Sequence, residues 1–472
     1  MDGGICQAME RPVSADEEAL RRWMEAAIGP VLDLTILPGW RPAWNASVAM
    51  PAGAIEIHVR GDRGAGRETQ PLRVEHDVLC LLEREGIAVP RIHGWCDDPA
   101  AIIMDRIDAI PFAGGADRDA DLHRLVSDYM AIMASVHRID VGKAVAIGLA
   151  HPQTPRAIAL AYFGDADSHF QAHRNGPEPL IAFVRKWVLD TMPLHRTQTA
   201  LLIGDAPQFF HDGEQVTQIY DLELAHIGDP MADLASIRVR DINEPIGGLT
   251  LLLQRYVAES GKPIDWAALD FHTIASFLAV PMRVGSALRA QDNLPAYVEY
   301  LSWDLGCRRA ALEILAQVRG VALPPVADIV PVQGSSDVIY DNLVASCADL
   351  PEAGGRLREP PALSLARYVQ RRNAIGDEIA RRDRHETEQI LDRRFETDTD
   401  LDAALEQYAL ESGPEKDAAL IGLFHRRTMR ALQLLRGYPA PIVDRAPSPI
   451  DRLAFSGPRS ARVVEHESAA IF

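Results

Sequence analysis

Residues 202–234, LIGDAPQFFHDGEQVTQIYDLELAHIGDPMADL, constrain this chain more than any other stretch. An apolar pair and a glycine (Leu202, Ile203, Gly204) lead into Asp205. An alternating segment, Val216–Tyr220, leads into Asp221, and glycine marks the turn between. The pattern reads as a hairpin that returns two carboxylates to one end, where they face one small volume. Phosphoryl transfer needs such a pair, one carboxylate to orient an attacking hydroxyl and one to hold Mg²⁺ on nucleotide phosphates. Taken alone, Asp205 would read as a turn residue, since Gly-Asp is a common turn pair. Its company, Asp221 and the block Gly228-Asp229-Pro230, favours chemistry. Asp229 itself reads as structure: Asp at N-cap with Pro230 at N1 starts a helix carrying Met231, Leu234 and Ile237.

The chain of 472 residues is long enough for two or three domains with substantial cores. Its composition, 47% hydrophobic and 24% charged, is that of a soluble globular protein. A formal net charge of −19 argues against nucleic acid and anionic membrane as partners. Cys6, Cys80, Cys96, Cys307 and Cys347 are scattered without C-x-x-C spacing, which points away from a disulfide framework and toward a reducing compartment. The N-terminal residues lack an apolar leader segment, and no run of about 18 apolar residues exists to span a membrane. The expected location is the cytoplasm.

Ser14 to Glu17 form a capping box for a helix reaching about Ile28. Apolar segments at Val31–Leu37, Ala46–Met50 and Ile55–Arg60 read as strands, the last alternating Ile55, Ile57 and Val59 against Glu56, His58 and Arg60. Residues 70–85 read as a helix in which Glu75 falls on the apolar face with Leu72, Leu79 and Leu82. A carboxylate there needs a cationic partner. Beyond about residue 110 the periodicity is mostly helical. Residues 330–437 read as a helical appendage, and the Pro-rich stretch 438–472 as a disordered tail.

The ordered set Gly204-Asp205, Asp221-Leu222-Glu223, Gly228-Asp229-Pro230 and Asp233-Leu234 resembles the catalytic segment of the aminoglycoside phosphotransferase-like (choline kinase-like) family. Val136-His137-Arg138-Ile139-Asp140 resembles that family's Leu-His-x-Leu-Asp helix end. The resemblance covers residues 14–320, and its wording is nearest to the branch related to the phosphotransferase domain of acyl-CoA dehydrogenases. It implies an α+β, protein-kinase-like two-lobed fold: a small antiparallel-sheet lobe over 14–108 and a large helical catalytic lobe over 109–320. An all-α segment over 330–437 would follow.

The implied activity is ATP- and Mg²⁺-dependent phosphorylation of a small-molecule hydroxyl. Acceptors in the family range from aminoglycosides and macrolides to choline, homoserine and hydroxyacyl compounds. Asp205 takes the base-like role. Asp221 is the primary magnesium ligand, and Gln208 stands where the family has its second ligand, Asn. The family's phosphate-contacting lysine has no counterpart, because the lysines (Lys143, Lys186, Lys262, Lys416) all lie beyond residue 140. Arg60 is the substitute, with Glu75 as its partner. Gly39, Asn45 and Ser47 lie in the stretch expected to cover the nucleotide, and Met104 at the hinge. Arg238 and Arg240 read as a solvated helix face. Ile203 replaces the family's His, and the loop after Asp205 is shorter than usual. These departures keep an alternative open: a catalytically impaired pseudokinase, a nucleotide-binding scaffold acting through the C-terminal helices. Those helices are also the candidate surface for a homodimer or a protein partner.

Overall fold

The computed structural model describes residues 14–37, 41–64, 70–112, 121–290, 296–331, 337–348 and 358–455, together with Leu294, Gly334 and Leu350. The first helix, α1 (Ala15–Ala27), begins at the expected capping box: Ser14 Oγ accepts from the Glu17 backbone N–H, and the Ser14 N–H donates to the Glu17 carboxylate. The small-lobe sheet follows with β1 (Val31–Ile36), β2 (Ala43–Met50), β3 (Gly53–Gly61), β4 (Ile92–Asp97) and β5 (Ala100–Asp105), and α2 (Leu72–Arg84) lies between β3 and β4. All pairs are antiparallel, in the order β1-β2-β3-β5-β4.

Period-two alternation divides the sheet's residues between two faces. Trp44, Ala46, Val48, Ile57, Val59 and Ile103 pack with Leu20 and Met24 of α1. On the opposite face, Ile102 and Met104 join Leu72, Leu79 and Leu82 of α2 in a second core. Asn45, His58 and Met104 form one row across β2, β3 and β5, and Arg60 pairs with Ala43 and Ile102 one step along. Arg60 therefore emerges on the face that turns toward α2 and the second lobe.

In the remainder, β6 (Ile110–Pro111) precedes the helices α3 (Leu122–Val136), α4 (Val141–Ala146), α5 (Pro155–Ala159), α6 (Phe163–His173) and α7 (Pro179–Asp190). Then come β7 (Ala200–Leu202), β8 (Phe209–His211), β9 (Val216–Ile219) and β10 (His226–Gly228). The helices α8 (Pro230–Asp241), α9 (Leu249–Ser260), α10 (Trp266–Arg289) and α11 (Tyr297–Arg319) complete the large lobe. The hairpin read from the sequence is β8–β9, and β7 pairs separately with β10. The molecule thus has the antiparallel-sheet lobe and the predominantly helical lobe of a kinase-like fold. No described helix is long and apolar enough to cross a membrane.

The C-terminal helices are α12 (Asp337–Ala348), α13 (Pro361–Leu391), α14 (Asp398–Glu411) and α15 (Asp417–Leu432). Leu405, Leu420, Ile421 and Phe424 of α14 and α15 are buried in the same apolar core as Phe183 of α7, Phe277 of α10 and Leu312 of α11. The expectation of a disordered tail from residue 438 is corrected over 438–455. Tyr438, Ile442 and Val443 are buried in that core, and Arg309 of α11 donates to the carbonyls of Ile442, Val443 and Arg445. A Pro-rich composition misled the sequence reading, because these apolar side chains find a prepared groove. Residues 456–472 lie outside the described residues.

Candidate active site

The loop from β7 to β8 carries Asp205, and α8 holds it. Gly204 has φ +88°, and a Cβ there would lie 2.2 Å from the carbonyl oxygen of Leu224, so the turn requires glycine on both counts. One face of α8 presents Asp233, Ser236 and Arg240, at the i, i+3, i+7 spacing that aligns side chains on a helix. Asp233 accepts from the backbone N–H groups of Ile203 and Gly204 at 2.7 and 2.8 Å. Ser236 Oγ accepts from the N–H of Ala206 at 3.2 Å. Arg240 Nη2 donates to Asp205 Oδ2 at 2.5 Å, and the Gln208 side-chain amide donates to the same oxygen at 3.0 Å. Three side chains of one helix thus fix four consecutive loop residues, 203–206.

Asp233 is fully buried and is itself held. His137 Nε2 lies 2.9 Å from it and His137 Nδ1 lies 2.8 Å from the Tyr256 hydroxyl. The helix start is anchored separately: Asp229 caps Met231 and takes a two-point contact from Arg196. Burial works against the Asp229 charge, but Arg196 and His272 outweigh it and hold the carboxyl well below the usual range. Asp229 is thus the structural residue its position suggested.

Asp221 follows β9 at φ +60°, a left-handed conformation that aspartate tolerates better than most residues. Its carboxylate receives Arg60 Nη2 at 2.6 Å. Arg60 Nε reaches Glu75 at 3.0 Å, and Glu75 also accepts the backbone N–H of Leu222 at 3.2 Å. The expected Arg60–Glu75 proximity is therefore present, and it ties β3 and α2 to the segment bearing Asp221. Burial pushes the Glu75 carboxyl up to about 7; Arg60 offsets part of this, and Asp221 adds to it. Burial also opposes the Arg60 charge, but Glu75, Asp221 and Glu223 more than compensate, so the guanidinium stays protonated.

Between the lobes lies a cavity of about 380 Å³ whose lining includes Asn45, Arg60, Glu75, Met104, Tyr220 and Asp221. His58 also lines it and is held mainly by burial, and then by Arg60, at a pKa of about 4, hence neutral. Asn45 and Ser47 were expected in a loop over the nucleotide. They lie instead within β2, Asn45 hydrogen-bonded to His58 and Ser47 two residues further along the strand and not on the cavity wall. Gly39 lies outside the described residues. Gln208 is brought to Asp205, and its backbone carbonyl accepts from Tyr220 N–H, so the two aspartate-bearing segments meet at one end of the hairpin. Among the described residues, no group of three or more His, Cys, Asp or Glu side chains is arranged to hold a metal ion.

Several groups escaped the sequence reading. Arg240 is not on a solvated face: it is half-buried against Asp205 and Glu244. Its helical spacing from Asp233 was the available signal. Arg238 is buried too, against Thr273 and Asp270. Arg41 and Arg63 both donate to Glu223 across the cleft, and Gln70 donates to the Glu223 and Ala225 carbonyls. No local pattern marks these long-range partners.

No curated protein matches the chain. Similar solved structures include the macrolide 2'-phosphotransferase of Brachybacterium faecium, 18% identical, covering 61% of this chain and 97% of that one with a TM-score of 0.45. The choline kinase of Streptococcus pneumoniae is 15% identical, covering 64% of this chain and 100% of that one with a TM-score of 0.48. A thermostable mutant of an aminoglycoside phosphotransferase, in ternary complex with AMP-PNP and hygromycin B, is 14% identical, covering 63% and 99% with a TM-score of 0.47. Residues 59–272 match the family model described as phosphotransferase enzyme family, a segment that runs from β3 into α10 and contains Arg60, Glu75, Asp205 and Asp221. Over that segment the chain is similar to the aminoglycoside phosphotransferase-like phosphotransferase enzyme family.

Proposed function

We propose that the protein transfers the γ-phosphoryl group of ATP to a hydroxyl of a small molecule. The observation that carries this reading is the meeting of Asp205 and Asp221 at one end of the β8–β9 hairpin, beside a cleft whose wall holds Arg60. In this reading Asp205 accepts a hydrogen bond from the acceptor hydroxyl and takes its proton as the phosphoryl group moves. Arg60 contacts the phosphates, held in place by Glu75. The base sits in the cavity against Leu79, Met104 and Tyr220, with Asn45 on the same wall.

The donors present fit a magnesium ion carried in with the nucleotide. Such ions are held by one or two protein groups and otherwise by phosphate and water, which suits a site without a three-residue cluster. Asp221 would hold it, with the side-chain oxygen of Gln208 as the second ligand. Bound there, Mg²⁺ neutralises charge on the phosphate chain.

Thermal denaturation with and without MgATP tests the nucleotide half of this reading. Ligand at a hundredfold excess over its dissociation constant stabilises by about 2.7 kcal/mol, and Asp221→Asn is expected to abolish the magnesium-dependent part. A screen of alcohols for ATP consumption tests the other half, with Asp205→Asn as control. Equal turnover by wild type and Asp205→Asn on every acceptor would remove Asp205 from the mechanism.

A further inference from the structure

Three arginines of the small lobe converge on a single oxygen of the large lobe. Arg41, from the loop before β2, and Arg63, just after β3, each place Nη2 2.5 Å from Glu223 Oε2. Arg60 Nη2 lies 3.5 Å from the same atom and 2.6 Å from Asp221. The side chains of Arg41 and Arg63 are each 7% exposed, and Glu223 is 18% exposed. Such a ring of guanidinium groups around one oxygen is what a phosphate oxygen receives in a polyphosphate site. It lies two residues from Asp221 and shares Arg60 with the cavity.

We infer that Arg41 and Arg63 are phosphate-binding residues, held in position by Glu223 until a nucleoside triphosphate displaces it, so that the small lobe carries a three-arginine clamp for the phosphate chain. This inference rests on the phosphotransferase reading above. Arg41, Arg60 and Arg63 share one oxygen of Glu223, whereas a triphosphate offers several charged oxygens spaced along a chain. Arg41 additionally donates Nη1 to the Gly61 carbonyl at 3.2 Å, a contact compatible with turning Nη2 toward a new anion. The contact between Glu223 and the arginines also bridges the lobes, so an arriving triphosphate would exchange one bridge for another without opening the cleft.

Isothermal titration of the full chain tests this with three probes: MgATP, adenosine and inorganic tripolyphosphate. Arg41→Gln and Arg63→Gln are each expected to weaken MgATP and tripolyphosphate about tenfold, the loss of one charge-assisted contact, with adenosine affinity unchanged. Glu223→Gln is expected to tighten both polyphosphates. Should Glu223→Gln fail to fold, Arg41→Lys and Arg63→Lys serve instead, with losses smaller than those of the Gln variants because charge remains. Equal weakening of adenosine and ATP, or no tightening in a folded Glu223→Gln, would make the cluster a structural tie between lobes. If wild type binds ATP and the arginine variants bind it equally well, the clamp alone falls. If wild type binds no ATP, the phosphotransferase reading falls with it.

Discussion

Arg240 and Asp205 share a 2.5 Å contact in which the guanidinium engages Oδ2, the oxygen already held by the Gln208 amide. Among the described residues no hydrogen-bond donor engages Oδ1, so under the proposed function that oxygen is the one an acceptor hydroxyl would meet. Arg240→Lys keeps a charge but loses the planar fork that spans Asp205 through Nη2 and Glu244 through Nη1. A poorly aligned base costs turnover more than affinity. Arg240→Lys is expected to lower kcat by about tenfold and Arg240→Met by about a hundredfold, while KM for ATP changes little. Steady-state kinetics with saturating acceptor read this directly, and an equal rise of both KM values with kcat intact would contradict it.

Gly204 cannot carry a side chain. Its φ of +88° and the 2.2 Å approach of a Cβ to the Leu224 carbonyl both oppose alanine. Gly204→Ala is expected to destabilise the fold by at least about 2 kcal/mol, measured as a lower midpoint in urea denaturation.

Glu75 provides a pH dependence whose sign follows from its raised pKa. The folded state holds the Glu75 proton more tightly than the unfolded chain does. Its contribution is therefore fully present below the ordinary glutamate value near 4.5 and is lost as pH rises through about 7. The stability difference, wild type minus Glu75→Gln, should fall between pH 4.5 and 7.5 by on the order of 3 kcal/mol. Paired denaturation curves across that window would show it; a difference that grows with pH would reverse the assignment.

Arg309 is 2% exposed and supplies donors to the Ile442, Val443 and Arg445 carbonyls. Arg309→Met leaves those carbonyls without that donor at the point where the tail turns back over α11. The expected cost is about 3 kcal/mol, and limited proteolysis should then cut after residue 438, a segment the wild-type core protects.

The two lobes and both aspartates were legible because they rest on local signals. Alternation marked β3, helical spacing put Glu75 on a buried face, and the only cation on the right strand was Arg60. The turn glycine and the Asp-Pro helix start marked the segment that bears both aspartates. What was missed depends on partners far along the chain. Arg41 and Arg63 meet Glu223 across separations of 182 and 160 residues, and neither arginine differs locally from a surface one. Arg240 was misread although its spacing from Asp233 was visible, because spacing shows which residues share a face and not what that face meets. Asn45 was placed in the covering stretch because the apolar run that marks β2 reads from Ala46, whereas the strand begins at Ala43.

The helix α8 has one further consequence. Its first turn is fixed by Arg196, its middle grips the loop of Asp205, and its last residue, Asp241, is bonded to Arg445 and Ser448 from the segment beyond α15. During synthesis the residues that secure this last point leave the ribosome more than two hundred positions after Asp205. The scaffold of the Asp205 loop is therefore finished only when almost all of the described chain has emerged, and a nascent chain halted at residue 272 would carry Asp205 and Asp221 without the brace on Asp241.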